Sequence, residues 1–560
     1  MRTTSILTLL VVAVLVCTGS VVFAEDAETP SIAPLRPQLT SELPPGTGFV
    51  PPRMDLSHLS SSRAPIQYLS AAVPAAWDWR TQSALTSVKS QGLCGSCYAF
   101  AALANIESKL LIDGEPYPDF SENNAKECNY YQTSCGGGNY YTLASWLSQT
   151  GTVLEGCDPY VASDVACQSA CPYSTTLLDW RIISESSVPA EAVLKQYIYD
   201  YGPVYTSMYA GDADAWYTEL SLYDGSYTLF YDGLEGTNHA VLIVGWDDSF
   251  VHAGPSSPGG WIVKNSWGLG WGDAGYFTIA YGSAGMGKWS SFVFDWQDYD
   301  TDGDLLHYDE AGWNSNIGYG TTSWGMCKFV QPATSYLYRV EFWTADVTTD
   351  IDIYVYDDFS GGTLSNLLAS KLNVSFAEAG YHSVALDSPL EITIGEDFYI
   401  AVKITDATYG FPICCDSDGP YETATTYISS NGIAWLDMGT GYGDDVCIRA
   451  RTSVDLPVAV ADEPLQLAHQ FTLSNNYPNP FNPTTTIMYS LARKAHVELS
   501  IYNLLGQKVT TLVDETMPAG NHSAIWNGAD DSGNRVASGV YLYQLRAGDY
   551  VESKKMILLK

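Results

Sequence analysis

Gln91-Gly-Leu-Cys-Gly-Ser-Cys-Tyr-Ala-Phe100 is the stretch that decides the fold of this chain. After it, apolar residues recur every three or four positions, at Phe100, Leu103, Ile106 and Leu110. The spacing predicts a buried helix that begins near Cys97, with Ser96 as its N-cap. A cysteine in the first turn lies at the positive end of the helix dipole, which favours the reactive thiolate. Cys97 is therefore a candidate nucleophile.

Two later blocks supply the residue types that such a nucleophile needs. Residues 237–246 contain His239, which follows the candidate nucleophile by 142 residues, and residues 261–272 contain Asn265. Histidine titrates near neutral pH and serves as a base, and asparagine can hold its ring in one orientation. Cys-Gly-Ser-Cys-Tyr at 94–98 fits a signature of papain and cathepsin nucleophiles, whose His and Asn follow about 130–150 residues later. On these three blocks the chain resembles the papain-like cysteine peptidases.

This resemblance implies peptide-bond hydrolysis through an acyl-enzyme. Cys97 would attack as a thiolate paired with a His239 imidazolium, and Asn265 would orient the ring. The backbone N–H of Cys97 and the side-chain amide of Gln91 would stabilise the oxyanion. Taken singly, each of these residues has a structural alternative, such as a disulfide for the cysteine or a turn for the asparagine. The substrate-binding residues implied by the same resemblance are Gly137, Gly138, Tyr140, Ser207, Ala240 and Trp267.

The fold implied by the resemblance is α+β, a papain-like two-subdomain peptidase at 73–297 followed by two β-sandwich domains. A mainly helical subdomain would carry the cysteine and a mainly β subdomain the histidine and asparagine, with the cleft between them. The sequence patterns agree with that division. Helical patterns fill 97–112 and 140–150, and β patterns fill 201–208, 237–246 and 272–280.

The N-terminus reads as a processing region. Residues 1–24 combine a basic start, a short apolar core and a small-residue cleavage site, which is typical of a secretory signal peptide. A transmembrane anchor is the alternative, but the apolar run is short for it. Residues 25–72 are rich in Pro and Ser and are interpreted as a propeptide or N-terminal extension. In papain-like zymogens such a segment occupies the cleft, so inhibition by this one is a hypothesis.

Cysteine usage indicates an oxidising compartment. Of twelve cysteines, loss of Cys17 with the signal peptide and assignment of Cys97 as nucleophile leave ten, an even number. Spacing alone does not fix the pairing. The papain resemblance implies two pairs and leaves a third as a local addition: Cys94–Cys135, Cys128–Cys167 and Cys157–Cys171. The remaining four lie in the following region, at Cys327, Cys414, Cys415 and Cys447.

Residues 298–452 show short alternating runs separated by turns, which predict a β-sandwich. The region resembles the lectin-like domain of bacterial and archaeal papain-family peptidases, and glycan binding is implied only by that resemblance. Its opening residues 298–304 match the first half of an EF-hand calcium loop. The candidate ligands are Asp298, Asp300, Asp302 and Asp309. An acidic inter-domain linker is the alternative, and no other cofactor is expected.

After a linker at 453–465, residues 466–560 alternate β patterns with Gly and Asn turns. Their motifs closely resemble the C-terminal sorting domain of type IX secretion cargo, related to the Ig-like domain of the flagellar hook-assembly protein. The resemblance implies that the type IX secretion machinery is a partner and that the protein is secreted or lies on the cell surface. A structural Ig-like module without sorting function is the alternative.

The charge balance restricts the partners. The formal net charge is −37, from 63 acidic and 26 basic residues, so nucleic acid and anionic membranes are not expected to bind. No later apolar stretch is long enough to span a membrane. We therefore expect a secreted cysteine endopeptidase that acts on proteins or peptides. The rival interpretations are a surface adhesin with an inactive or self-processing peptidase fold, and an enzyme that passes its acyl group to an amine.

Overall fold

The computed structural model describes residues 29–37, 43–60, 73–116, 118–255, 258–455 and most of 472–558. The expected signal peptide at 1–24 lies outside the described residues, as does most of the expected linker. The described chain is α+β: a mixed region up to residue 298 is followed by regions built almost wholly of strands. The fold class expected from the sequence is confirmed. Of the helices in the described part, none has the length and apolar character needed to cross a bilayer.

The first region contains five of the helices in the described chain. They are α1 (Cys97–Ile112), α2 (Glu122–Cys128), α3 (Tyr140–Gln149), α4 (Glu191–Tyr201) and α5 (Ala215–Ser221). Its strands are β1 (Ser31–Ile32), β2 (Ala76–Asp78), β3 (Thr175–Ile182), β4 (Val204–Met208), β5 (His239–Asp247), β6 (Gly260–Lys264), β7 (Tyr276–Ala280) and β8 (Lys288–Asp298).

Helix α1 begins at Cys97, as the sequence predicts. Leu111 is its one residue that is not buried, and a helix buried on all sides occupies the centre of a fold. Ser96 lies at the N-cap position, but its side chain makes no capping bond and pairs instead with the Tyr160 hydroxyl at 2.7 Å. The predicted β pattern at 201–208 is partly wrong, because α4 continues to Tyr201 and β4 begins only at Val204.

The second region is a two-sheet β structure. Its elements are β9 (Gly303–Leu306), β10 (Ser315–Gly318), β11 (Thr322–Val330), β12 (Ser335–Thr344), β13 (Thr348–Ser360), β14 (Thr363–Val374), β15 (Gly380–Ile392), β16 (Asp397–Asp406), β17 (Ile413–Asp416), β18 (Thr426–Ser429), β19 (Leu436–Asp437), α6 (Met438–Gly441), β20 (Asp445–Val446) and β21 (Ile448–Ser453). One sheet runs in the order β14-β13-β16-β11-β18-β19, and alternate residues of its strands enter a shared apolar core.

One sheet crosses from the first region into the second. Its strand order is β7-β6-β5-β4-β8-β3-β15-β12-β21-β9, so β3 of the first region pairs with β15 of the second. The partners at that junction are Trp180 with Tyr381 and Arg181 with Gly380. A side chain on Gly380 would meet the Trp180 carbonyl oxygen at 2.1 Å, so the strands approach this closely only because glycine lies there. The two regions are therefore joined through backbone pairing.

The C-terminal region contains a three-stranded and a four-stranded sheet. Its strands are β22 (Thr472–Leu473), β23 (Thr485–Leu491), β24 (Ala495–Asn503), β25 (Lys508–Met517), β26 (Gly520–Trp526), β27 (Gly539–Ala547) and β28 (Tyr550–Leu558). Tyr541, Tyr543 and Leu545 alternate with more exposed neighbours and are buried in one cluster with Leu499 and Ile501. This small sandwich agrees with the alternating pattern of its sequence.

Candidate active site

The candidate nucleophile and base meet where helix α1 faces strand β5. Cys97 is the first residue of α1 and His239 the first residue of β5. Ala240, which follows the histidine, donates its backbone N–H to the sulfur of Cys97 at 3.3 Å. Cys97 is a free thiol, so the disulfide alternative does not hold for it in this structure. The fold thus brings together two residues that are far apart in the sequence.

Asn265 fixes the orientation of the His239 ring. Its Oδ1 lies 2.8 Å from His239 Nε2 and accepts a second bond from the backbone N–H of Ser266, also at 2.8 Å. Because a backbone N–H must point at an oxygen, Oδ1 is an acceptor here and Nε2 is the donor. The other ring nitrogen, Nδ1, then carries the lone pair, and it has no hydrogen-bond partner among the described residues. That nitrogen is the one available as a base.

Burial favours the neutral forms of this pair. Cys97 is 0% exposed and His239 1% exposed. Burial raises the pKa of the thiol to about 12, although the backbone N–H groups of Ala240, Tyr98 and Cys97 itself lower it. Burial lowers the pKa of His239 to about 4, against the bond to Asn265. The expected thiolate–imidazolium couple is therefore disfavoured while water is excluded from the site, because the two charged groups would not be hydrated there.

Gln91 lies beside the nucleophile in a network that the sequence did not reveal. Its Oε1 accepts from the Ser266 hydroxyl at 2.6 Å, and its Nε2 donates to the carbonyl of Cys94 at 2.8 Å. The Tyr160 hydroxyl donates to the backbone carbonyl of Gln91 at 2.9 Å. These contacts hold the amide rigidly, and Nε2 has a second hydrogen to donate. The signal for Ser266 was its place directly after the candidate asparagine.

A disulfide holds the glycine loop of the cleft against the start of α1. The structure joins Cys94 with Cys135, and two further bonds join Cys128 with Cys167 and Cys157 with Cys171. Gly137 follows with a φ of +94°, a conformation that favours glycine. A side chain on Gly138 would meet the ring of Tyr98 at 2.9 Å. Both glycines are therefore needed for a backbone to approach this wall.

The N-terminal extension, defined as residues 29–37 and 43–60, lies across this cleft. The backbone N–H groups of Gly48 and Phe49 donate to the carbonyl of Asn238 at 3.0 and 2.9 Å. Gly138 donates to the Gly48 carbonyl and accepts from Val50, both at 2.9 Å. The backbone at Gly138 is therefore already paired with an extended chain in this structure, and the two run parallel. Asn238, directly before the histidine, is a contact that the sequence analysis did not identify.

Two of the expected substrate-pocket residues share an apolar cluster with one side chain of this extension. Tyr140 and Ala240 are buried in the same apolar cluster as Phe49, whose ring also lies 6.1 Å from that of Trp289. Ser207 is buried, and its hydroxyl donates to Thr237 at 2.8 Å. Trp289 was missed because no motif marks residues 281–297.

Trp267 contacts both His239 and the N-terminal extension. Its ring centroid lies 5.1 Å from that of His239, with the planes tilted by 35°. Its indole N–H donates to the Gly46 carbonyl at 2.9 Å. The ring therefore covers one side of the imidazole and at the same time holds the extension over it.

A Gly48→Ala substitution is expected to open the cleft. A Cβ at Gly48 would lie 2.0 Å from the carbonyl oxygen of Gly95 and 2.7 Å from its Cα, and these backbone atoms have no room to move. Overpacking of this kind costs about 1–3 kcal/mol, so the open form should become roughly 5- to 150-fold more populated. The rate at which a thiol-reactive epoxide labels Cys97 in the full chain should rise accordingly.

The control is internal, because the wild-type and Gly48→Ala chains become identical once residues up to 72 are removed. Both should then be labelled at the same rate. Water that enters the cleft lowers the pKa of Cys97 and raises that of His239, so the thiolate becomes available. Equal labelling of the two uncut chains would show that the extension does not limit access to the thiol.

The acidic residues considered for calcium have other contacts. Asp309 is fully buried and paired with Arg449, with Nη2 2.7 Å from Oδ2. Asp300 accepts from the backbone N–H of Asp302 at 3.0 Å, in the turn between β8, which ends at Asp298, and β9. Within the described residues, no group of three or more His, Cys, Asp or Glu side chains is arranged to hold a metal ion.

Three regions of this chain match known protein families. Residues 73–294 match the family described as papain family cysteine protease, 305–452 match a lectin like domain, and 479–549 match a FlgD Ig-like domain. A cysteine proteinase of Trypanosoma brucei brucei is 31% identical over 225 residues, covering 40% of this chain and 47% of that protein. A viral cathepsin of Spodoptera litura multicapsid nucleopolyhedrovirus is 33% identical, covering 40% and 62%. This chain thus spans about half of the first relative's length and under two thirds of the second's.

A solved structure shares the arrangement of the first two regions. It contains the cysteine protease and lectin-like domains of Cwp84, a surface layer associated protein of Clostridium difficile, at 19% identity and a TM-score of 0.61. The match covers 76% of this chain and 100% of that one. Cwp84 after propeptide cleavage matches at 20% identity with a TM-score of 0.59, covering 69% and 100%. At these identities the likeness concerns the fold. Residues 73–294 thus match the papain family of cysteine proteases, and residues 305–452, which follow them, match a lectin-like domain.

Proposed function

We propose that this protein is an exported cysteine endopeptidase, made as a precursor whose N-terminal extension blocks its own cleft. The observation that supports it best is the extended chain at Gly48 and Phe49, bound through its backbone beside Cys97 and His239. A cleft that binds a chain by main-chain hydrogen bonds accepts varied sequences, because every residue offers the same groups. Proteins and peptides are therefore the proposed substrates.

In the proposed reaction, the sulfur of Cys97 attacks the carbonyl carbon of the scissile peptide bond. His239 Nδ1 takes the thiol proton and then gives it to the leaving amine. Asn265 holds the ring throughout, since its bond to Nε2 does not change during this transfer. The resulting thioester is hydrolysed by a water that His239 deprotonates, and the thiol is restored. Each tetrahedral intermediate carries an oxyanion, for which the Cys97 backbone and the Gln91 amide are the proposed donors.

The oxyanion role predicts a specific kinetic effect for Gln91→Ala. In enzyme freed of its extension, loss of one such donor should lower kcat by about 10²–10³-fold. KM should change little, because the bond forms chiefly in the transition state and hardly in the bound substrate. Steady-state hydrolysis of a peptide substrate measures both constants.

Ser266→Ala is the matched control for Gln91. It removes the bond to Gln91 Oε1 but leaves the amide N–H in place, so its kcat should fall by less than about tenfold. A Gln91→Ala enzyme with normal kcat would remove the amide from the proposed mechanism. An equal loss in both variants would point to a structural role for the network.

Labelling and proteolysis together test the whole proposal. The full chain is treated with a thiol-reactive epoxide and with casein, before and after removal of residues 25–72. Both labelling of Cys97 and casein cleavage should be slow in the full chain and much faster after removal. A thiol that is labelled while casein stays intact would favour the adhesin interpretation. Peptide products joined to an added amine would instead reveal acyl transfer.

Two partners complete the proposal. Export through a signal peptide at 1–24 and the type IX secretion machinery is supported by the Ig-like match at 479–549 and by three disulfides in the peptidase domain. Glycan binding is supported by the lectin-like match at 305–452. Calcium is not part of the proposal, because Asp309 is engaged by Arg449.

A further inference from the structure

The N-terminal extension has little structure of its own. In its described residues it contains the two-residue strand β1 and one 3-10 turn at Ser57–Ser60. Such a chain has no core to hold its shape, so its ordering must be stabilised by the surfaces that it touches. Inside the cleft those contacts are mostly backbone hydrogen bonds around Gly46 and Gly48, with Phe49 as the apolar side chain. Other contacts lie on the peptidase domain, where Glu185 pairs with Arg36 and accepts from the backbone N–H of Leu56, and further contacts lie on the lectin-like domain.

The first of these contacts is strand addition. Strand β1 pairs antiparallel with β10 of the lectin-like domain, Ser31 opposite Gly318 and Ile32 opposite Ile317. Ala33 donates its backbone N–H to the carbonyl of Asn316 at 2.9 Å. The extension thereby becomes the edge strand of the sheet β1-β10-β17-β20. Backbone pairing at a sheet edge is a common way to bind an extended chain.

The second contact is made by His58. Its Nε2 lies 2.9 Å from the carbonyl oxygen of Ala345. Its ring stacks on Tyr409, with centroids 3.9 Å apart and planes 7° from parallel. Both partners belong to the lectin-like domain, and neither belongs to the cleft. A flat stack with a hydrogen bond at its edge fixes the position and the rotation of this part of the extension.

The third contact is apolar. Met54, Leu56 and Leu59 are buried in a cluster that joins both domains, since it contains peptidase residues such as Leu143 and Leu147 and lectin-like residues such as Trp343 and Ala345. Side chains of this size provide most of the favourable free energy when an unstructured chain is ordered. The extension therefore has its own hydrophobic anchor immediately after the part that crosses the cleft.

From these contacts we infer that the lectin-like domain is the binding site for the N-terminal extension and holds it in the peptidase cleft. The occupant is the N-terminal extension of this chain, residues 29–37 and 43–60, and the domain serves the precursor as an internal peptide receptor. The inference rests on the proposed function, because it concerns how the cleft is kept closed. It gives the lectin-like domain a role that needs no glycan.

The domain is rigid enough for this role. Its β15 continues the sheet of the peptidase domain, and the buried Arg449 donates to Ser148 at 2.7 Å and to Ser145 at 3.0 Å on helix α3. Anchors at β10 and Tyr409 are therefore fixed relative to the cleft. This geometry sets the register in which Gly48 faces Gly138.

Proline substitutions in β1 test the strand contact. Ala33→Pro removes the N–H that donates to Asn316, whereas Ile32→Pro removes one that points away from β10, since neighbouring residues of a strand face opposite ways. In the full chain, Ala33→Pro should raise the rate of epoxide labelling of Cys97 about five- to tenfold. The matched Ile32→Pro chain should be labelled near the wild-type rate. Equal rates for all three would overturn the strand contact.

A double-mutant cycle tests the contact between His58 and Tyr409. His58→Ala and Tyr409→Leu should each raise the labelling rate about three- to tenfold, and the double variant should rise by less than their product. An increase equal to the product would mean that the two side chains act independently, which would overturn this contact. The thermal midpoint of each variant shows whether it is folded.

The processed enzyme distinguishes failure of the proposed peptidase function from failure of the proposed role of the lectin-like domain. After removal of residues up to 72, every variant should be labelled and should cleave casein at the wild-type rate. If this processed enzyme is inactive, the proposed peptidase function is wrong. If it is active and the uncut variants are labelled no faster than the uncut wild type, the lectin-like domain does not hold the extension.

Discussion

Cys97→Ala is expected to lower the rate of peptide hydrolysis by about 10⁴–10⁶-fold in enzyme freed of its extension. The reason is that no other group can form the thioester, whereas binding and oxyanion stabilisation survive and leave a small residual rate. Measurement of kcat and KM on one peptide substrate checks this, and KM should stay within a few-fold. Thiol-reactive epoxide should no longer label the protein at all.

Cys327→Ala is the matched control for the nucleophile. Cys327 is also a free, buried thiol, but it lies in the lectin-like domain, where burial raises its pKa well above the ordinary value. This variant should keep full activity and full labelling. If Cys97→Ala retained more than about 1% of the wild-type rate, a different nucleophile would have to be sought.

Arg449→Met is expected to destabilise the protein by about 3–5 kcal/mol, the usual cost of removing one partner of a buried ion pair. Arg449 and Asp309 are both fully buried, and the guanidinium donates Nε to Oδ1 at 2.9 Å and Nη2 to Oδ2 at 2.7 Å. The variant leaves the carboxylate with His307, whose Nδ1 lies 3.6 Å from Oδ1 and which is charged only when protonated, in place of a permanent counter-charge. Denaturant unfolding, followed by tryptophan fluorescence, measures the loss.

The pH dependence distinguishes this cause from lost packing. Burial alone would raise the pKa of Asp309, but the charge of Arg449 holds it below the ordinary value. In the wild type this pair stabilises the fold above about pH 4, and the contribution is lost as pH falls through the depressed pKa. In Arg449→Met the pKa of Asp309 rises instead, so the penalty is present at pH 7 and disappears below about pH 4. The stability difference should therefore shrink in acid.

Lys371→Met is the surface control. Lys371 pairs with Asp387 at 2.8 Å, but the side chain of Asp387 is 77% exposed. Loss of such a pair should cost less than about 1 kcal/mol at any pH. If Arg449→Met also cost less than about 1 kcal/mol, the buried pair would contribute no more than a surface pair. The junction of the two domains would then be stabilised mainly by its paired strands.

Much of the site was predictable because its chemistry is written in short motifs. Cys97 opens a helix whose apolar spacing is regular, and His239 and Asn265 each begin or follow a β pattern. Local propensity and side-chain type were enough for these elements, since both act over a few neighbouring residues. The supporting residues Ser266 and Trp289 were not predictable in the same way, because hydroxyl and ring contacts depend on what packs beside them.

The protonation state of the pair was beyond the sequence. Helix position and residue type favour a thiolate and an imidazolium, but burial beneath the extension favours the neutral forms of Cys97 and His239. Hydration decides between the two effects, and the exposure of a side chain is a property of the folded chain. For the same reason the sequence did not show that Asp309, one of four candidate calcium ligands beside the alternative of an acidic linker, pairs with an arginine 140 residues away.

The sequence by itself determined which residues are the candidates for the chemistry, the order of the regions and the start of helix α1. Only the tertiary structure decided that the N-terminal extension lies in the cleft and that β3 and β15 pair across the two domains. It also decided that Cys97 and His239 are buried away from water. The physical reason is range. Periodicity and residue type report interactions between near neighbours in the chain, whereas burial, strand pairing and charge pairing join residues that only folding brings together.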